Sequence, residues 1–287
     1  MFRAWAVGLL VAVAVLAGGV GCSDNGGPAP YLTVVTTNDP QYRVLAHIYA
    51  AVVKATGIDT KVRESADPVA ELDTGIASVA PGFTGAVLRQ FAPQQRPSGD
   101  VEATYTAMIA ALPAGVAAAD YGTAEDRPAL AVAAASVSAS SKPTLVALAR
   151  HCDQLARGGQ VGRGPVPVPR IGPCETGVPR EFANGGELFA ALKRGEIAVA
   201  WTSTASPSLP VDGVTLLDDE KDWLPANSVV PLYRRNELTE PQVLSLNKVA
   251  GELTTGELAA MTREVSGGGD PGRVVDTWLN DHQILVR

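Results

Sequence analysis

Few side chains in this chain have the type and spacing needed to make or break a covalent bond. Three histidines, His47, His151 and His282, stand in unrelated contexts. There is no G-x-S-x-G, no H-E-x-x-H and no phosphate loop. Gly162-Arg163-Gly164 lacks a third glycine and a strand-to-helix setting, and no Lys or Ser/Thr follows Gly267-Gly268-Gly269 at phosphate-loop spacing. A zinc site at His151, Cys152 and Cys174 has the wrong spacing and no fourth ligand nearby, so no metal is expected. Asp218-Asp219 is a carboxylate pair, but an exposed acidic turn is its commoner meaning. These residues favour binding over catalysis, and no cofactor is implied.

The binding chemistry gathers in three polar turns: Thr36 to Asp39, Pro81 to Gly85, and Trp201 to Thr204. Each follows a short apolar run of strand length. Tyr31 to Thr36, Ile58 to Val62 and Ile76 to Val79 read as strands. The set Val44, Leu45, Ile48 and Val52 reads as a helix that ends near Gly57. Alternating strands and helices predict parallel βαβ units, whose ligands lie beyond the carboxyl ends of the strands. All three turns fall at that edge. Thr84 also reads as the N-cap of a helix over Ala86 to Phe91.

Further along, Val101 to Leu112 reads as a helix, Ala114 to Ala119 and Ala129 to Ala133 as strands, and Ser140 to Cys152 as a helix capped by Ser140 or Ser141. Arg157 to Arg170 is rich in Gly and Pro and reads as loop. Thr239 with Gln242 and Thr254 with Glu257 form capping boxes, and Asp270-Pro271 opens a last helix to about Asn280. Gly213 to Arg235 organises the rest. It holds the apolar run Val214 to Leu217, an acidic turn, Trp223 to Ser228, and a second run Val229 to Tyr233. It reads as a crossing between two lobes, with a plain hairpin as the alternative.

Here the sequence resembles the periplasmic substrate-binding proteins for glycine betaine and related osmoprotectants. The residues that carry the resemblance are Asp218, Asp219, Pro225, Ala226 and Val229-Val230-Pro231, together with Pro81-Gly82-Phe83-Thr84-Gly85, Ala124 to Val132, and Gly195 to Thr204. The resemblance implies an α/β, two-lobed fold of the type II periplasmic-binding kind, with a ligand cleft between the lobes. Lobe one would hold 31–123 and 227–287, and lobe two 124–226. It implies a solute-binding protein feeding an ABC-importer permease, with no enzymatic activity. In such a cleft, aromatic faces hold a quaternary amine and polar groups hold its carboxylate. Phe83, Tyr121, Trp201 and Trp223 are the ring candidates, and Asn38, Thr84, Thr202 and Asn227 the polar ones. The alternative is a structural or regulatory envelope lipoprotein with a degenerate cleft.

The chain opens with an address. Arg3, an apolar run and Gly21-Cys22 read as a bacterial signal peptide over 1–21, with Cys22 as the lipidated residue of a tether over 22–30. The protein is thus expected outside the cytoplasm and held at the membrane only by lipid. Apolar residues make up 46% and charged residues 18% of the 287, enough for a sizeable core. A net charge of −7 argues against nucleic acid as a partner, and a monomer is expected. With Cys22 acylated, Cys152 and Cys174 remain, either as a disulfide or as two buried thiols. A disulfide closing about 21 residues would stabilise by roughly 3 kcal/mol.

Overall fold

A computed structural model describes residues 31–137, 142–150, 155–161 and 170–284. Two five-stranded sheets organise it. The first is built on β1 (Tyr31–Thr36), which buries Leu32 and Val34 on one face and Val35 on the other. From β1 the chain runs through α1 (Pro40–Lys54), β2 (Asp59–Glu64), α2 (Pro68–Thr74), β3 (Val79–Phe83), α3 (Thr84–Phe91), α4 (Val101–Ala111) and β4 (Val116–Ala118). It then enters the second body with β5 (Pro128–Ala133). There follow α5 (Leu145–Leu148), β6 (Arg157–Gln160), β7 (Arg170–Ile171), β8 (Cys174–Glu175), β9 (Arg180–Phe182), α6 (Gly185–Lys193), β10 (Val199–Ser203) and β11 (Val214–Leu216). It returns with β12 (Val229–Arg234) and finishes in α7 (Glu240–Glu252), α8 (Thr255–Ser266) and α9 (Pro271–Asp281).

The first sheet has the order β2-β1-β3-β12-β4, and the second β11-β5-β10-β6-β9. β1 pairs in parallel with β2 and β3, while β12 is antiparallel to both β3 and β4. β11 and β12 therefore lie in different sheets, so the stretch between them is a crossing and not a hairpin. A large core lies between α1 and the C-terminal helices, where the α1 residues Leu45, Ile48 and Tyr49 meet Leu246, Leu258 and Trp278. A second fills the other face of the first sheet under α2, α3 and α4. The second sheet buries Leu130, Val199 and Trp201 on one face and Phe182, Phe189 and Ile197 on the other.

Local chemistry sets the ends of these elements. Both C-terminal capping boxes form: the Thr239 N–H donates to Gln242 Oε1 at 2.8 Å, and the Thr254 N–H to Glu257 Oε2 at 2.9 Å. Asp270 accepts from the Arg273 N–H to start α9. The third strand begins later than its apolar run suggests. α2 ends on Gly75 in the left-handed region, and the Ile76 and Ala77 N–H groups bond back to the Glu71 carbonyl. Ile76 is thereby 63% exposed, and the strand starts at Val79.

Of the helix expected over Ser140 to Cys152, Leu145–Leu148 is helical, and both ends of the expected span lie outside the described residues. Thr144 is its cap, accepting from the Ala147 N–H. Thr144 forms a bridge with Asp218, and the Leu145 N–H donates to the Asp218 carbonyl. That holds Thr144 extended, and the described helix begins at Leu145. Cys22 and Cys152 lie outside the described residues. Cys174 is buried and disulfide-bonded.

Candidate functional site

Two chain segments connect the sheets and run side by side. Glu125 and Ser228 form an antiparallel bridge. The Asp126 N–H donates to the Asn227 carbonyl at 3.0 Å and the Val229 N–H to the Ala124 carbonyl at 2.9 Å. The first crossing is fastened to lobe one by the Glu125 N–H on Thr255 Oγ1 at 3.1 Å and by the Thr123 hydroxyl on the Leu253 carbonyl at 3.1 Å.

The second crossing is fastened by Asn227. Its Oδ1 accepts from the Ala86 N–H at 3.0 Å, and its Nδ2 donates to the Asp126 carbonyl at 2.8 Å. Asn227 thus caps α3 from 141 residues away, the role that the sequence suggests for Thr84. Thr84 is fully buried instead, with its hydroxyl accepting from the Ser228 N–H at 3.0 Å. Gly85 is needed here because a Cβ on it would lie 2.4 Å from the Ala226 carbonyl oxygen.

Groups from the β1–α1 turn and from the end of β10 act on Asp126. Its carboxylate accepts from the Ala205 N–H at 3.3 Å, and the Ser203 side chain at the end of β10 and the Gln41 side chain in the first turn of α1 favour its charged form. Burial nevertheless pushes the Asp126 carboxyl up from its ordinary value, and Asp39 adds to the shift. Tyr42 stands within electrostatic reach of both acids. Burial, then Asp39 and Asp126, push its hydroxyl up to about 12. The Tyr42 ring packs edge-to-face on Phe83, with centroids 5.5 Å apart. A buried carboxylate with two rings close by is a setting for a cation.

The residues expected from sequence divide sharply. Asn38 is exposed in the turn beside Asp39, and Phe83 supports Tyr42. Tyr121 points elsewhere: its hydroxyl donates to Glu102 on α4 at 2.9 Å and its ring packs against Tyr105. Trp201 does not face a cleft. It is 3% exposed and packs with Leu130 and Val199, because strand alternation turns it into the core. Thr202 is buried beside it. Trp223 lies against Gly172 in the β7–β8 turn. Asp219 is an organiser of backbone, accepting from the Trp223 and Leu224 N–H groups at 3.0 and 2.8 Å. Tyr42, Gln41, Asp126 and Ser203 were not among the sequence candidates.

Beside the crossings, on the lobe-two side, is a recess of about 430 Å³ whose lining includes Glu125, Arg127, Lys142 and Asp218. No group of three or more His, Cys, Asp or Glu able to hold a metal occurs among the described residues, and none of the helices among them is long and apolar enough to cross a membrane.

Residues 178–281 match the family model for the substrate-binding domain of ABC-type glycine betaine transport systems. The matched segment spans β9 to α9 and includes the second crossing. The crystal structure of a glycine betaine/carnitine/choline ABC transporter is 18% identical and covers 88% of this chain and 99% of its own, with a TM-score of 0.73. Apo YehZ from Escherichia coli, 16% identical, covers 89% and 100% with a TM-score of 0.71. Lactococcal OpuAC, in its closed-liganded conformation complexed with glycine betaine, is 13% identical and covers 89% and 97%, with a TM-score of 0.53. These similarities establish the two-lobed binding-protein fold. No curated protein matches the chain.

Proposed function

We propose that the protein is the solute-binding component of an ABC importer and captures a small organic solute with a cationic head. A quaternary amine such as glycine betaine or choline is the first candidate. The observation that carries this reading is the meeting of both lobes at Asp126. The β1–α1 turn, the first crossing and the end of β10 all act on one buried carboxylate, with Tyr42 in electrostatic reach of it and Phe83 packed on Tyr42. A solute cation there would relieve the cost of burying that charge. The family match over 178–281 supports the same role. Capture draws the lobes together, and the closed form presents the solute to the permease.

The address at the start of the chain adds a lipid anchor on Cys22, a location outside the cytoplasm, a monomer, and a Cys152–Cys174 disulfide. Asn38 at the exposed turn, and Thr202 and Trp223 in lobe two, become ligand contacts only if closure brings them to the solute.

Calorimetry tests the reading with glycine betaine, choline, carnitine and proline betaine. At least one should bind, and Asp126→Asn and Tyr42→Ala should each weaken it by about 10-fold or more, the loss expected when a charge or ring partner of a cation is removed. If nothing in a wider solute panel binds, the structural-lipoprotein alternative replaces this one.

A further inference from the structure

His282 stands at the end of α9 and caps its last turn. Both nitrogens of its ring meet oxygen. Nδ1 lies 2.9 Å from the Trp278 carbonyl oxygen, and Nε2 lies 2.7 Å from Glu257 Oε1 in the first turn of α8. A carbonyl oxygen has no proton to give, so Nδ1 must carry one. A neutral ring would then aim the lone pair of Nε2 at a second acceptor. The His282 and Glu257 side chains are 26% and 29% exposed, so solvent protons reach the pair.

The surroundings of each group decide where the shared proton sits. Burial works against the charged form of Glu257, but the Thr254 hydroxyl and N–H outweigh it and hold the carboxyl below its ordinary value. Both donate to Glu257 Oε2, at 2.6 and 2.9 Å. His282 moves the other way. The Trp278 carbonyl raises it above its ordinary 6.5, burial opposes this, and Glu257 and Glu252 at the end of α7 add to the rise. The C-terminal end of a helix favours a cation. So does the face of the Trp278 ring, whose centroid is 4.7 Å from that of the imidazole.

The start of α8 has a second task. Thr255 Oγ1 accepts from the Glu125 N–H, and the Leu253 carbonyl accepts from the Thr123 hydroxyl, each at 3.1 Å. The turn that holds His282 is therefore the turn that fastens the first crossing. We infer that His282 is an imidazolium with both nitrogens donating, a staple that ties the end of α9 to the first turn of α8 and, through that turn, steadies the first crossing. Its stabilisation is complete below 6.5 and is lost as pH rises through the raised value. His47 supplies a control at the opposite end of α9. Burial pushes it below 6.5, with Asp270 and Asp276 opposing the shift and Arg43 adding to it.

Nitrogen-15 NMR of the imidazole rings tests the protonation, with His282 assigned by the signals that His282→Gln loses. At neutral pH both His282 nitrogens should show the shifts of protonated nitrogen. The ring should titrate above 6.5 and His47 below it. Glu257→Gln keeps a residue that can complete a capping box but removes the charge, so it should move the His282 titration down. Hydrogen exchange tests the reach of the staple. At neutral pH the Glu125 amide should exchange several-fold faster in His282→Gln than in the wild type, and the gap should close as pH rises through the His282 titration. Circular dichroism checks that both variants fold; if either does not, the wild-type titration still decides the protonation. A single protonated nitrogen on His282 at neutral pH overturns the assignment. So does a His282 titration that Glu257→Gln leaves in place, or a Glu125 exchange gap that is absent or indifferent to pH.

Discussion

The Asp126 carboxyl is charged only at a cost, because burial outweighs the hydrogen bonds it accepts. Its folded pKa lies above the ordinary 3.8, so ionisation is easier in the unfolded chain. The ligand-free protein should therefore lose stability, relative to Asp126→Asn, as pH rises from 3.8 through the raised value. Denaturant melts of both proteins across that range measure the difference, and a constant gap would refute the assignment. A bound cation reverses the sign of the effect. Affinity for a cationic solute should rise with pH over the same window, which calorimetry at a series of pH values reads directly. Only part of this cluster was legible in the sequence. Phe83 lay in a turn that pattern alone picks out. Tyr42 sits in the first turn of a helix, where an aromatic residue reads as core. Asp126 belonged to the recognisable stretch Ala124 to Val132, but nothing in one chain says that a carboxylate there will be buried by Gln41 and Ser203. Trp201 failed for the opposite reason: a ring near a strand end looks available until alternation turns it inward.

At the scale of elements, α3 and the second crossing approach each other closely. Gly85→Ala would place its methyl against the Ala226 carbonyl and should cost about 1–3 kcal/mol, the usual price of overpacking a filled site. Asn227→Ala should cost about 1–2 kcal/mol by removing a cap and an inter-segment hydrogen bond together. Thermal melts should show both losses, and an unchanged Asn227→Ala would mean that water replaces the amide. Elements with their own end signals, such as α7, α8 and α9, were readable because caps are local. α5 was not, because its start is set by Asp218, far away in sequence, and β3 slid along the chain because α2 ends with bonds back to Glu71.

At the scale of the whole molecule, the lobes also touch away from the crossings. Arg263 on α8 donates through Nε to the Pro207 carbonyl at 2.8 Å, and through Nη2 to the Leu209 carbonyl. This strut joins lobe one to the loop after β10. Removing it in Arg263→Ala should let the ligand-free lobes separate further, seen as a larger radius of gyration by small-angle scattering. Solute should still draw them in, because the Asp126 cluster is intact. No change in the ligand-free form would mean that the strut does not limit opening. The two-lobed plan was legible through the family resemblance, with which the alternating strands and helices agree. The inter-lobe contacts were not, since they pair a helix with a loop through backbone oxygens that carry no sequence signature.

The pairing of the two crossings has a consequence for how the protein moves. Two separate tethers would allow the lobes to bend, twist and shear independently. Strands joined at Glu125 and Ser228, and by the Asp126 and Val229 amides, form a single ribbon that flexes along one coordinate while its rungs stay made. Deuterium should therefore enter the Asp126 and Val229 amides slowly whether the lobes are apart or together. Amides of the exposed β1–α1 turn should be the ones whose exchange slows when solute arrives.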